Sequence, residues 1–352
     1  KDGVYLFDQD QAVIEFTGVT VKPVVSLLRN FSAPVNLDFN YSDDELAFLM
    51  QYETNGFNQW QAAQTLLDRI LLNDHAAEIY IQAMKNTVPE LIQKDPLLAS
   101  RIFDVPSEGY LGSRIDENYN PAVIQEKRNA LLELLAREFG SFCKETYLEL
   151  DPDTQKEFSQ AMGVRALKNI MLSMMARQGD TEAFDLAHQQ YQLTGNMSER
   201  LGALRVLVWN DAPQAKETLA DFYDRFKDEA LSLDQWFMVQ AAHPKATAAT
   251  LAYLTAHADY DLGVPNRIRS VSGGLNANPV NTWSFGVQHF INLAKYLDEK
   301  NPIVGSRLLQ ALSRWYTLAE PQRSAVKAEL EALKPQVKSK NVSETLNSML
   351  NV

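Results

Sequence analysis

A single cysteine, Cys143, stands in a chain of 352 residues. No internal disulfide can form from it, and a cysteine-rich zinc site is excluded. That usage fits a reducing, cytoplasmic setting. No run of about 18 apolar residues occurs, so no membrane span is expected. Positive charge is also scarce. Lys and Arg number 33 against 45 Asp and Glu, a formal net charge of -12. Nucleic acid and anionic membrane both reward a basic surface, so neither is an expected partner. The five histidines are followed by Ala, Gln, Pro, Ala and Phe at His75, His188, His243, His257 and His289. The H-E-x-x-H pattern that sets two imidazoles and a glutamate on one helix face is therefore missing. No G-x-S-x-G elbow, Walker loop or G-x-G-x-x-G occurs either. The chain opens on KDGVYLFDQD, without an initiator Met or a basic-then-apolar leader, and Lys1 reads as a cut point inside a longer polypeptide.

What is present is ordinary globular composition, 45% hydrophobic and 22% charged. This length predicts two or three packed units. Residues 1–40 differ from the rest. VYLFD and AVIEFTGV are short and rich in β-branched and aromatic residues, and PVNLDFN alternates, with Val35, Leu37 and Phe39 on one side. These segments read as strands. Three or four strands cannot close a sandwich alone, so the expectation is the end of a β-domain whose other strands lie upstream.

At YSDDELAFLM the period changes from two to that of a helix. Ser42 and Glu45 have capping-box spacing, with acids in the first turn where the helix dipole favours them. Asn58 is a candidate cap for a helix carrying Trp60, Ala63, Leu67, Ile70 and Leu71 on one side. Asn120-Pro121 and Asp151-Pro152 open further helices, with proline at the first helical position. Other starts are expected near Asp180, Ser198, Ser232 and Asn281. Roughly a dozen or more helices joined by short loops, with no fixed-period repeat, predict a mainly α fold: an irregular helical superhelix over 41–352. Residues 103–120 lack apolar periodicity and read as a functional or connecting loop.

Candidate chemistry is sparse. HADYD brings His257, Asp259 and Asp261 close enough to suggest a metal cluster, but acids near helix ends more simply cap the next element. His289 reads as a packing histidine, and the methionines of NIMLSMMARQ as core filling. The stretch VPNRIRSVSGGLNANP places Arg267 and Arg269 before a Ser-Gly-Gly turn. In a helix the two arginines project about 200° apart, so one can reach a cavity while the other makes a structural ion pair. A guanidinium suits a carboxylate because its fork of donors matches two oxygens. The bland alternative is that both lie on the solvated surface.

Several segments, in order, carry a family resemblance: FSAPVNLDFNYSDDELAFLM, QWQAAQTLLDRIL, LDQWFMVQA, PNRIRS and NPIVGSRLL. Together they resemble the C-terminal part of bacterial aminopeptidase N, of the zinc-dependent alanyl aminopeptidase family. The resemblance implies that 1–40 end a small β-sandwich domain and that 41–352 form the C-terminal helical domain. It implies a parent zinc metallo-aminopeptidase that removes N-terminal residues from peptides. The zinc and the family's G-x-M-E-N and H-E-x-x-H motifs belong to a catalytic domain not present in this sequence, so no catalytic or metal-binding residue is expected here. In the family the helical domain caps the catalytic domain, its partner, and its arginines line the substrate cavity. Arg269 and Arg307 match those positions, with the implied role of binding a peptide carboxylate or backbone, and Arg267 is left a structural role. Ile303, near Arg307, departs from relatives that carry a polar residue there. The rival reading is a non-enzymatic α-solenoid scaffold that binds a protein along its concave face.

Overall fold

The computed structural model describes residues 5–35, 37–155 and 157–351. The helices are α1 Asp43–Tyr52, α2 Gly56–Asn73, α3 Glu78–Lys94, α4 Pro96–Ile102, α5 Glu108–Ser113 and α6 Pro121–Glu149. They continue as α7 Phe158–Ala176, α8 Thr181–Leu193, α9 Met197–Trp209, α10 Ala215–Phe226, α11 Ala230–Ala241 and α12 Ala248–Thr255. The last are α13 Pro265–Asn276, α14 Pro279–Asn281, α15 Val287–Lys300, α16 Pro302–Leu309, α17 Gln322–Leu333 and α18 Lys340–Leu350. The fold is the expected irregular helical array.

Local signals set several starts. Glu45 N–H donates to Ser42 Oγ (3.1 Å) and Ser42 N–H to Glu45 Oε2 (2.9 Å), completing the capping box of α1. Pro121 opens the 29-residue α6, capped by Asn120. Two starts fall elsewhere than expected. Asn55, not Asn58, caps α2, and Asn58 instead donates its amide to Ser26 Oγ and the Leu27 carbonyl. Asp151-Pro152 opens only the short 3-10 turn Pro152–Thr154, and α7 begins at Phe158.

Val4 of VYLFD and Asn36 of PVNLDFN lie outside the described residues, and among the described residues of 1–40 the expected strands do not pair. Among the described residues the only β-bridge joins Tyr119 to Leu318, and Val35, Leu37 and Phe39 are all exposed. A strand becomes stable through a partner's ladder and a face to bury. Among the described residues, 5–35 and 37–39 offer one another neither. The segment is instead moored to the first helices: Tyr41 OH donates to the Val25 carbonyl (2.9 Å), and Arg29 pairs with Glu53 (3.0 Å).

One large apolar cluster runs from Leu46 to Met349, so the ends of the array share a core. Residues 103–120 make part of that closure. Tyr119 N–H donates to the Thr317 carbonyl (2.7 Å) and Ala319 N–H to the Tyr119 carbonyl (2.9 Å). A second cluster centres on Phe222, Trp236 and Phe237, and a third on Ile268, Leu293, Leu297 and Val304. The Ser-Gly-Gly expected as a turn lies inside α13. Gly274 is required there by packing, because a Cβ at that position would sit 2.7 Å from Ala241 Cβ and 2.9 Å from the Met238 carbonyl oxygen on α11.

The C-terminal helices are tied down by one carboxylate. Asp298 of α15 accepts from Lys338 N–H (2.7 Å), Ser339 N–H (3.1 Å) and Ser339 Oγ (2.5 Å) at the start of α18. Burial pushes its pKa up, but the Ser339 hydroxyl and the two N–H groups outweigh that and hold it below the usual range. A depressed folded-state pKa stabilises above the unfolded value, near 4, and that contribution disappears as pH falls through the folded value. Asp298→Asn should therefore cost about 1 kcal/mol at pH 7. Urea unfolding of both proteins should show the gap closing below about pH 4. A gap of constant size from pH 7 to pH 3 would refute the assignment.

Candidate arginine wall

Helix α13 begins with Pro265, whose fixed φ and absent N–H suit the first helical position. Two and four residues on, the two arginines part. Arg267 turns inward and is 6% exposed. Its Nε donates to Asp234 Oδ1 on α11 at 2.6 Å, an Nη donates to the Asp259 carbonyl, and the guanidinium sits 5.1 Å from the Phe237 ring centroid. All of this is structural: a cation buried with its counter-ion and stacked on an aromatic face.

Arg269 turns outward and is exposed. Its hydrogen bond is a 3.3 Å contact to Asn266 Oδ1, one turn earlier, and it makes no ion pair among the described residues. Arg307, in the last turn of α16, is likewise exposed and without an ion pair among the described residues. A cation at that end of a helix is favoured by the dipole. The two helices meet through the third apolar cluster, where Ile268 packs with Val304 and Leu308. Arg269 and Arg307 each adjoin a member of that cluster in sequence, so α13 and α16 present both cations from one packed unit. Ile303 is exposed on α16. Three clefts of 580, 570 and 650 Å³ lie elsewhere and are lined by neither arginine.

The other candidates take structural places. His257 Nδ1 accepts from Asp259 N–H (3.2 Å), Asp259 Oδ2 accepts from Tyr223 OH (2.5 Å), and Asp261 Oδ1 accepts from Gly263 N–H (2.7 Å). The first and last are local turn bonds, and the second ties the turn to Tyr223 of α10. His257 is surrounded by the rings of Tyr223, Trp236 and Phe237, with centroids 5.0 to 5.5 Å away. Among the described residues no three His, Cys, Asp or Glu side chains converge as metal ligands, so the donor set does not fit a zinc site. Burial pushes the Cys143 thiol up to about 12, which leaves it an unreactive core residue. No described helix is long and apolar enough to cross a membrane. Asp234, the partner of Arg267, carried no sequence signal, because it lies 33 positions away on another helix.

Over 349 residues the chain is 30% identical to aminopeptidase N of Escherichia coli (strain K12), covering 93% of this chain and 39% of that protein. It is 28% identical to aminopeptidase N of Caulobacter vibrioides, covering 99% of this chain and 42% of the relative. The Haemophilus influenzae aminopeptidase N is 26% identical, over 95% of this chain and 40% of its own. The chain thus spans about two fifths of the length of these relatives. A crystal structure of Legionella pneumophila aminopeptidase A in complex with aspartic acid superposes with a TM-score of 0.83 at 24% identity, over 96% of this chain and 42% of that one. That likeness carries the fold. The resemblance to part of aminopeptidase N, drawn from five short segments, extends over nearly the whole chain. Residues 43–351 match the family model described as a domain of unknown function (DUF3458_C) with ARM repeats, and the chain belongs to that family.

Proposed function

We propose that this chain is the capping portion of a zinc metallo-aminopeptidase, closing the cavity in which peptides lose their N-terminal residues. The observation that carries the reading is the division of labour on α13. One arginine of PNRIRS is consumed by the fold through Asp234, while Arg269 stays exposed with no counter-ion among the described residues. Arg307, without an ion pair among the described residues, supplies a second cation from the helix packed against α13. In a chain of net charge -12 two exposed cations on helices that pack together suit a peptide's C-terminal carboxylate. The partner is the protein's own catalytic portion upstream, which holds the zinc. The residues of this chain contribute electrostatics and enclosure, and no chemical step.

In this reading residues 1–40 end a small β-sandwich, and the exposed apolar side chains of that segment, Phe7, Val13, Phe16 and Val21 among them, find their strand partners upstream. The parent is a cytoplasmic enzyme. The test is the complete polypeptide. Its upstream sequence should contain H-E-x-x-H, and the purified protein should release N-terminal residues from peptides. Truncation before residue 41 should reduce turnover of peptides more than that of small aminoacyl amides. A complete polypeptide without that motif and without peptidase activity would instead favour the helical scaffold.

A further inference from the structure

The loop over 103–120 does more than close the array. Its last residues, with the end of α2 and the first turns of α6, line a cleft of 570 Å³, a volume typical of small-ligand sites. The floor is apolar: Leu71 is 1% and Ile124 5% exposed, and the half-buried Leu72 and Ile115 pack onto the main cluster. The loop is held in place from outside the cleft. Arg314 donates to the Ile115 carbonyl (2.7 Å) and pairs with Asp116 (3.5 Å), and the Tyr119 backbone is bonded to Thr317 and Ala319.

The cleft carries two polar features of opposite sign. Arg114 closes α5 with its N–H on the Leu111 carbonyl (3.1 Å), while its guanidinium makes no ion pair or hydrogen bond among the described residues. Two carboxylates that could neutralise it are engaged elsewhere: Asp116 with Arg314, and Asp68 as acceptor from Tyr110 OH at 3.1 Å. Lys127, the other cation of the cleft, is held by Asp74 Oδ1 at 2.6 Å. One uncompensated guanidinium suits one carboxylate. The negative feature is the end of α2, whose last three residues, Leu71, Leu72 and Asn73, all line the cleft. The final carbonyls of a helix have no intrahelical partner. Here the Asp74 N–H turns back to the Arg69 carbonyl, and no N–H beyond the helix donates to those three among the described residues. Such an end favours a cation.

A free α-amino acid with an aliphatic side chain offers a carboxylate, an ammonium and an apolar branch on one small frame. We propose that this cleft binds such an amino acid, leucine being the probe: its carboxylate on Arg114, its ammonium on the last carbonyls of α2, its side chain over Leu72 and Ile115. A residue cut from a peptide's N-terminus is such a molecule, so on the capping reading the cleft meets the product of the reaction. The binding itself does not depend on that reading.

The test is calorimetric titration of the 352-residue chain, with urea unfolding to confirm that each variant is folded. Leucine should bind, and Arg114→Met should weaken it about tenfold or more while leaving the urea midpoint unchanged, because Arg114 is exposed. N-acetyl-leucine, which has no ammonium, and leucinamide, which has no carboxylate, should each bind about tenfold less tightly than leucine. Glycine, without a side chain to bury, should lose at least about tenfold as well. Lys127→Met should change affinity by less than about threefold, since Asp74 already holds that charge. Equal binding by Arg114→Met, or no binding by the folded chain, overturns the site. N-acetyl-leucine binding as tightly as leucine overturns the amino-acid assignment, because a simple aliphatic acid would then suffice. A loss in Arg269→Ala as large as in Arg114→Met overturns the location and puts the ligand at the arginine wall. The peptide selectivity expected of Arg269→Ala is measured separately, so the capping reading stands or falls on its own.

Discussion

Arg267→Ala is expected to destabilise the protein by about 3–5 kcal/mol, seen as a fall in the urea midpoint at unchanged slope. The size follows from what the truncation leaves behind. Asp234 is 8% exposed and has Arg267 Nε at 2.6 Å, so removing the guanidinium strands a buried carboxylate. It also frees the Asp259 carbonyl and removes a cation from the face of Phe237. Arg269→Ala, two residues on and exposed, should stay within about 0.5 kcal/mol of the parent. A double replacement separates the ion pair from the cost of an orphaned charge. Arg267→Met combined with Asp234→Leu should lose less than Arg267→Ala alone, because apolar groups of similar volume leave no charge unpaired. Strict additivity of the two sites, or equal destabilisation at Arg267 and Arg269, would show that Arg267 does not hold α11 to α13.

The same pair of residues marks how far the sequence is legible. Helical spacing says that Arg267 and Arg269 diverge, and nothing local says which turns inward. Asp234 decides that from 33 positions away. Caps encoded within four residues read correctly at Ser42 and Asn120, since both partners of each bond lie in the same short window. Asn58 misled because Asn55 offers the same side chain one turn earlier, and the tertiary bonds to Ser26 and Leu27 that occupy Asn58 are not local. Gly274 followed the same logic. Ser-Gly-Gly has turn composition, but the absent Cβ serves the approach of α11, and a packing distance leaves no trace in sequence. The alternation of PVNLDFN is a true period of two. A ladder is a property of two segments, however, and among the described residues no second one pairs with it.

In the complete polypeptide, Arg269→Ala and Arg307→Ala should each weaken binding of a peptide with a free C-terminus by about 1.5–3 kcal/mol, roughly 10- to 150-fold in KM. Small aminoacyl amides that lack a carboxylate should be nearly unaffected. The asymmetry comes from what each substrate offers the wall: a charge-assisted bond forms only where a carboxylate reaches it. Salt provides an independent reading. Raising ionic strength should weaken peptide binding by the parent and do so less in Arg269→Ala, because the exposed cation is open to screening. If both arginines grip one carboxylate, the double variant should cost less than the two single losses combined, since the second truncation removes a bond already slackened by the first. Full additivity would place the two cations on different parts of the peptide. Equal losses on peptide and amide would mean that the arginines shape the protein and not its ligand, and the wall would then have no claim to substrate recognition.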